Sequence, residues 1–231
     1  MTPRPIAGDA TPLPQTDQVE QAVHRPPRSN RVTPFGGLEA TPARGTLMGN
    51  RGDLHAPDGT IARHHAGKAW ICCTLAEKNG RRVIFDTKGH YTPLFFHDEA
   101  VSFAAGHRPC AECRRADFLR FKRYFNRATG RPDDQFVPAR EIDAFLHSER
   151  LDGRIKRLHP SPIANLPDGS FFTTGSAPQT PLLLWQGRAH PWSHEGYGAP
   201  LKVRRETTVA VLTPPTLVEV LRSGYRVTPR L

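Results

Sequence analysis

A Cys-x-x-Cys pair, Cys110 and Cys113, follows the run Gly106-His107-Arg108-Pro109 and stands at the head of a strongly basic segment. Two cysteines spaced in this way around a tight turn can both place sulfur ~2.3 Å from one zinc ion, a demand that fixes the local backbone. The other two cysteines are adjacent, Cys72 and Cys73, and Cys110 lies 37 positions beyond Cys73. Two pairs at this separation supply the number of sulfurs that encloses one zinc ion, so the metal ligands expected are Cys72, Cys73, Cys110 and Cys113.

The 231 residues, 37% of them hydrophobic, suffice for one large domain or two small ones with a core. The 23 prolines and 19 glycines follow no period, which excludes collagen and disfavours a compact helical bundle while predicting long loops. No stretch approaches the roughly 18 consecutive apolar residues of a membrane span, and the N-terminus lacks a signal pattern. The expectation is a soluble cytoplasmic protein without a membrane partner. In that compartment thiols stay reduced, and paired cysteines serve metal binding or catalysis more often than disulfides.

The expected fold class is α+β in three parts. Residues 1–45 are rich in proline and poor in large apolar groups, and ordering them would bury too little surface to offset the entropy lost, so they read as a disordered tail. Residues 46–130 read as a small zinc-stapled module. In it, residues 69–75 form a strand, Lys78-Asn79-Gly80-Arg81 a turn, residues 82–85 a returning strand and residues 91–96 a further strand. Asp98 is a suitable N-cap for a helix over residues 99–105 that Gly106 ends. Residues 131–231 read as a β-rich region, with a helix over 141–151, strands within 166–172, 181–187 and 207–212, and a last helix over 217–221 closed by Gly224.

Successive strand residues face opposite sides, so Cys72 and Cys73 reach one metal together only if a bulge or strand end turns one of them. Cys73 is nearer the turn and is the preferred ligand of the two. A histidine can then complete the site. His107 is nearest in sequence, with His64, His65 and His90 behind it among eleven histidines.

The segment from Arg108 to Arg131 carries eight basic residues against Glu112 and Asp117, within a net charge of +10. Phe118, Phe121, Phe125 and Ala128 fall on one helical stripe, while Arg120, Arg123 and Arg127 fall on another. Arg114, Arg115, Arg120, Lys122, Arg123 and Arg127 are therefore the candidates for neutralising nucleic-acid phosphates without reading bases. The same charge run is also compatible with a solvated helix face.

The ordered run Phe95-Phe96, Glu99-Ala100, Ala104-Ala105-Gly106, Arg108-Pro109-Cys110 and Cys113 resembles the metal-binding domain of the Ada family of bacterial alkyl-phosphotriester DNA repair proteins. That resemblance spans residues 91–115. It implies a zinc ion held by four cysteines, DNA as partner, a role in DNA repair, and a methyl-accepting thiolate in the first cysteine pair. By position, Cys110 and Cys113 look like the second pair, and Cys73 with Cys72 like the first, which makes Cys73 the methyl acceptor if that activity is present. The chain departs from the family in its adjoining first cysteines, in the intervening hairpin, and in lacking the partner helix-turn-helix and a second acceptor motif.

The leading expectation is a zinc-binding, DNA-binding protein, and its first rival is a methyl-accepting phosphotriester repair enzyme. A second rival is a metal-dependent hydrolase or nuclease built on the loops that hold Arg51, Asp53, His55, His190, Trp192, His194, Glu195 and Tyr197. DNA is not distinguished from RNA by these residues alone.

Overall fold

The computed structural model describes residues 28–56, 58–76 and 91–231. In chain order these form β1 (Ser29–Val32), β2 (Leu38–Ala40), β3 (Leu47–Asn50), β4 (Ile71–Thr74), β5 (Leu94–Phe96), α1 (Glu99–Ala104), β6 (Arg108–Pro109), α2 (Arg115–Ala128) and α3 (Ala139–Arg150). Next come β7 (Leu151–Asp152), β8 (Ile155–Lys156), β9 (His159–Pro162), β10 (Phe171–Thr174), β11 (Ala177–Trp185) and β12 (Arg188–Ser193). The chain closes with β13 (Gly196–Tyr197), β14 (Leu201–Lys202), β15 (Thr208–Val211) and α4 (Pro215–Arg222). The class is α+β. Among the described residues no helix is long and apolar enough to cross a membrane.

The first sheet is mixed, in the order β2-β1-β5-β3-β4-β6. β1 runs parallel to β5 and β4 parallel to β6, while β3 is antiparallel to both β4 and β5. The second sheet is antiparallel, in the order β13-β12-β11-β10-β15-β9, with β14 pairing β12. Its two faces follow from strand alternation: Phe171 and Leu183 pack with the helices, and their neighbours Phe172, Leu182 and Leu184 fill a second cluster on the other side. Burial on both faces explains the unbroken apolar run at residues 182–184.

Helix α1 is buried along its whole length, polar residues included. The Asp98 carboxylate caps it, accepting from the Val101 amide at 2.9 Å, and Gly106 ends it with a φ of 89° that a side chain rarely tolerates. The same carboxylate accepts from the Tyr197 hydroxyl at 2.8 Å and the Arg230 amide at 2.9 Å, tying the second sheet and the C-terminus to the helix start. One apolar core joins Phe103 of α1, Phe121 and Phe125 of α2, Ile142 and Leu146 of α3, Phe171, Leu217 and Tyr225. That core crosses residue 130, where the sequence suggested a boundary.

Three expectations are corrected. Residues 29–40, assigned to a disordered tail, form β1 and β2 at the edge of the first sheet. Val32 is buried there, and the Arg31 guanidinium lies 4.7 Å over the Phe95 ring. The segment has few apolar groups of its own, Val32, Phe35 and Leu38 among them, but these pack on a surface to which residues more than sixty positions away contribute. The hairpin-and-helix module is instead part of a six-stranded sheet to which β3 contributes the centre. The stretch around residues 188–197, placed in a loop, forms β12 and β13. The turn and returning strand expected over 78–85 lie outside the described residues.

Gly49, in the centre of that sheet, pairs Cys72 on one side and Leu94 on the other. A Cβ there would overlap the Ile71 carbonyl oxygen and come within 2.8 Å of the Phe96 ring. Replacing a strand glycine by alanine ordinarily reduces unfolded-state entropy and stabilises. Here Gly49→Ala should cost about 2–4 kcal/mol because backbone must move. Urea denaturation checks this, and a neutral or stabilising result would refute the close approach.

The Lys156 ammonium donates to the Ala104 carbonyl at the C-terminal end of α1, at 2.5 Å. Burial, with Arg51 and Arg150 nearby, pushes it down to about 7 from the usual 10.5. Between those two pH values the unfolded chain keeps a proton that the folded chain has released, so this group's contribution to stability grows as pH rises through the window. The stability difference between wild type and Lys156→Met should therefore shift in favour of wild type from pH 7 to pH 10, read from denaturation midpoints. A difference that stays constant with pH would contradict the assignment.

Candidate metal centre

The pairing of β4 with β6 brings the cysteines together. These strands run parallel with Cys72 opposite Pro109, and the Cys110 amide donates to the Cys72 carbonyl at 2.9 Å. That bond sets the start of the Cys-x-x-Cys turn beside the end of β4. The sulfurs of Cys73, Cys110 and Cys113 all lie within 4.8 Å of one another, a spacing that could hold a metal ion. The Glu112 amide faces the Cys110 sulfur at 3.5 Å, the arrangement expected of a turn wrapped around a thiolate.

Crowding couples the three sulfurs. Hydrogen bonds from Cys113 and then Cys73, assisted by the Glu112 and Cys113 amides, hold the Cys110 thiol far below its ordinary value. The converse holds at Cys73, whose thiol is pushed up by donating to Cys110 and Cys113 and by burial. Cys113 is also raised, chiefly by its bond to Cys110. One thiolate is thus stabilised at the expense of the other two, and a divalent cation would replace the shared protons and favour three thiolates.

Cys72 is placed elsewhere. It is fully buried with Val32, Leu94 and Phe96, on the opposite side of β4 from its neighbour. Burial pushes its thiol up to about 12, with the Arg114 guanidinium, 3.5 Å from its sulfur, acting in the other direction. His107 is turned to Arg51, whose Nε donates to its Nε2 at 3.0 Å, and its ring packs on Phe96 at 4.7 Å. His64 and His65 line a different cavity. His90 lies outside the described residues.

The three sulfurs form one wall of a cavity of about 410 Å³ whose other polar lining includes Asn50, Tyr91 and Arg108. Arg108 is held rigidly. Its Nε and Nη2 donate to the two oxygens of Asp143, each at 2.8 Å, its Nη1 donates to the Pro109 carbonyl at 2.9 Å, and it stacks over Phe118 at 5.0 Å. In the sequence Arg108 reads only as part of the basic run and of the Arg-Pro-Cys motif, and Asp143 is not singled out. The signal available was only the Arg-Pro step before Cys110, because Asp143 arrives from α3, 35 residues away.

The basic residues of the Cys-x-x-Cys segment have diverse fates. Arg114 points inward, donating to Glu99 at 2.6 Å and to Asp117 at 2.7 Å. Arg120 pairs with Asp117 at 2.8 Å and Arg127 with Asp133. Lys122 lies over the Phe136 ring at 5.0 Å. Arg115 and Arg123 are exposed without an acidic partner among the described residues, Arg123 donating weakly to the Tyr124 hydroxyl at 3.4 Å. The loop candidates do not converge: His194 pairs with Glu39 at 2.9 Å, and Tyr197 is bound to Asp98. Comparison of the chain with protein-family models, curated proteins and solved structures gives no match.

The geometry separates the adjacent cysteines: Cys73 joins the cluster and Cys72 packs in the core. Metal content, measured by elemental analysis after purification, should fall to background in Cys110→Ala and Cys73→Ala and stay at the wild-type ratio in Cys72→Ala. Retention of metal by Cys73→Ala would show that the cluster does not form the site.

Proposed function

We propose that this is a zinc-binding protein that engages DNA, with the metal fixing the turn from which the basic helix α2 departs. The observation that carries this is the convergence of Cys73, Cys110 and Cys113 at the head of α2. An all-sulfur set is soft and suits zinc over the hard cations magnesium and calcium, which take oxygen. The Ada resemblance supports the same choice of metal and of partner, and a place in DNA repair.

Helix α2 sends Phe118, Phe121 and Phe125 into the core, which leaves its opposite face for a polyanion. Arg115 and Arg123 are exposed and in no ion pair among the described residues, with Lys122 beside them, whereas Arg120 and Arg127 would have to exchange Asp117 and Asp133 for phosphate. Arg114 is committed internally and takes no part.

The cavity against the sulfurs favours a second reading, in which Cys73 accepts an alkyl group. Its thiolate would attack the methyl carbon of a phosphotriester, forming a sulfur–carbon bond as the carbon–oxygen bond breaks and a phosphodiester anion leaves. A metal would keep that sulfur deprotonated at neutral pH.

Binding to a short DNA duplex as a function of salt tests the first reading. Arg115→Ala with Arg123→Ala should weaken binding and reduce the slope of log affinity against log salt by about 2, since each phosphate neutralised contributes about 0.9. An unchanged slope would remove α2 from the interface. Mass spectrometry after exposure to methylated DNA tests the second: one methyl on Cys73 is expected, and an unlabelled protein that still binds DNA would reject it.

A further inference from the structure

Arg51 and Arg150 are each 1% exposed, yet among the described residues neither has a carboxylate in contact. Arg51 donates from Nε to His107 and from Nη1 to the Gly36 carbonyl at 2.9 Å. Arg150 donates from Nε to the Gly106 carbonyl and from Nη1 to the Lys68 carbonyl, both at 2.7 Å. The Nη2 of each is buried without any partner. Both guanidiniums lie over the Trp70 ring, at 4.1 and 4.8 Å from its centroid.

The acids nearest Arg150 are engaged elsewhere. Asp143 clamps Arg108, and Glu149 accepts from the Thr216 amide at 2.9 Å and its hydroxyl at 2.8 Å. An arginine stays protonated at any physiological pH, so two permanent charges sit in the interior, met by carbonyls, the His107 ring nitrogen and one indole face, with Asp143 and Glu149 acting on Arg150 electrostatically. Buried charge of this kind is costly without a counter-ion. The interior around Trp70 therefore carries an excess of positive charge.

Beyond Trp70 lies a separate cavity whose lining includes neither of these guanidiniums. His65 packs on Trp70 at 5.7 Å and on His147 at 4.8 Å, and it forms one wall of a cavity of about 320 Å³ between residues 61–65 and the β7–β8 turn. Arg63, His64 and Arg154 complete its polar lining, the turn glycine Gly153 lies between, and among the described residues no carboxylate lines it. Arg63 and Arg154 have no acidic partner among the described residues. Arg51 and Arg150 stand behind that wall, over the Trp70 ring on which His65 packs, and burial, then these two cations, hold the His65 imidazole below its usual value. A front layer of two arginines and two histidines is therefore backed by two more arginines, an arrangement that concentrates positive potential in a cleft.

We propose that this cavity is a binding site for a phosphate group. Phosphate matches the planar guanidinium fork, which offers paired donors to two oxygens, and imidazole N–H groups add further donors. The chemistry is shared by a nucleic-acid phosphodiester and by a small phosphate compound. The site requires neither the metal centre nor α2.

The test uses the full-length, metal-loaded protein in titration calorimetry at constant ionic strength, with inorganic phosphate and with a short DNA duplex as separate ligands. Arg63→Ala with Arg154→Ala alters only exposed side chains, so the variant keeps its fold and its metal content, both measured on the same sample. Saturable phosphate binding is expected in wild type, weakened at least tenfold in this variant and unchanged in Arg115→Ala with Arg123→Ala. A parallel loss of duplex binding in the first variant would identify the ligand as nucleic acid, and loss for phosphate alone would identify a small phosphate compound. The proposal is overturned if wild type shows no saturable phosphate binding, or if the variant binds as wild type does.

Discussion

The ion pair between Glu99 and Arg114 is the contact on which the arrangement of the molecule depends. Glu99 opens the buried helix α1, and one of its carboxylate oxygens accepts from Arg114 at 2.6 Å and from the Tyr225 hydroxyl at 2.8 Å. Arg114 stands one residue beyond Cys113 and also touches Asp117 and the Cys72 sulfur. A single interior pair thereby joins α1, the Cys-x-x-Cys turn, the first turn of α2, strand β4 and the C-terminal segment. Removing one partner of such a pair would leave a charge stranded in the core, a loss of about 3–5 kcal/mol.

The cysteine cluster inherits its geometry from that frame. β4 delivers Cys73 to one side and Cys72 to the other, and the parallel pairing with β6 sets Cys110 beside Cys73. The turn is held from behind by Arg114 and from the side by Arg108, which Asp143 clamps with two bonds. Both arginines flank the cysteine pair in sequence, yet both act as interior struts. The positive charge around this motif thus has two uses, one in assembling the fold and one on the surface.

The same division applies to the chain as a whole. Its net charge of +10 suggests a uniform attraction for polyanions. In the folded protein Arg51, Arg108, Arg114 and Arg150 are withdrawn from most solvent contact, and α2 neutralises part of its own face with Asp117 and Asp133. What remains is local: exposed cations on α2, and the basic cavity backed by Arg51 and Arg150. The charge that identifies a binding surface is the charge left after internal pairing.

Local signals in the sequence determined much of this. Apolar spacing located the buried stripe of α2, Asp98 and Gly106 delimited α1, and strand alternation already required Cys72 and Cys73 to diverge, because these depend on neighbouring residues along one backbone. Only the tertiary structure decided which of the two meets Cys110 and Cys113, since that follows from the partner β4 takes. It also decided that residues 29–40 form an edge of the first sheet, because the surface they cover is built by Phe95 and its neighbours. The convergence of Arg51, Trp70, His107 and Arg150 had no counterpart in local pattern, for their contacts span up to 80 residues and are fixed by packing alone.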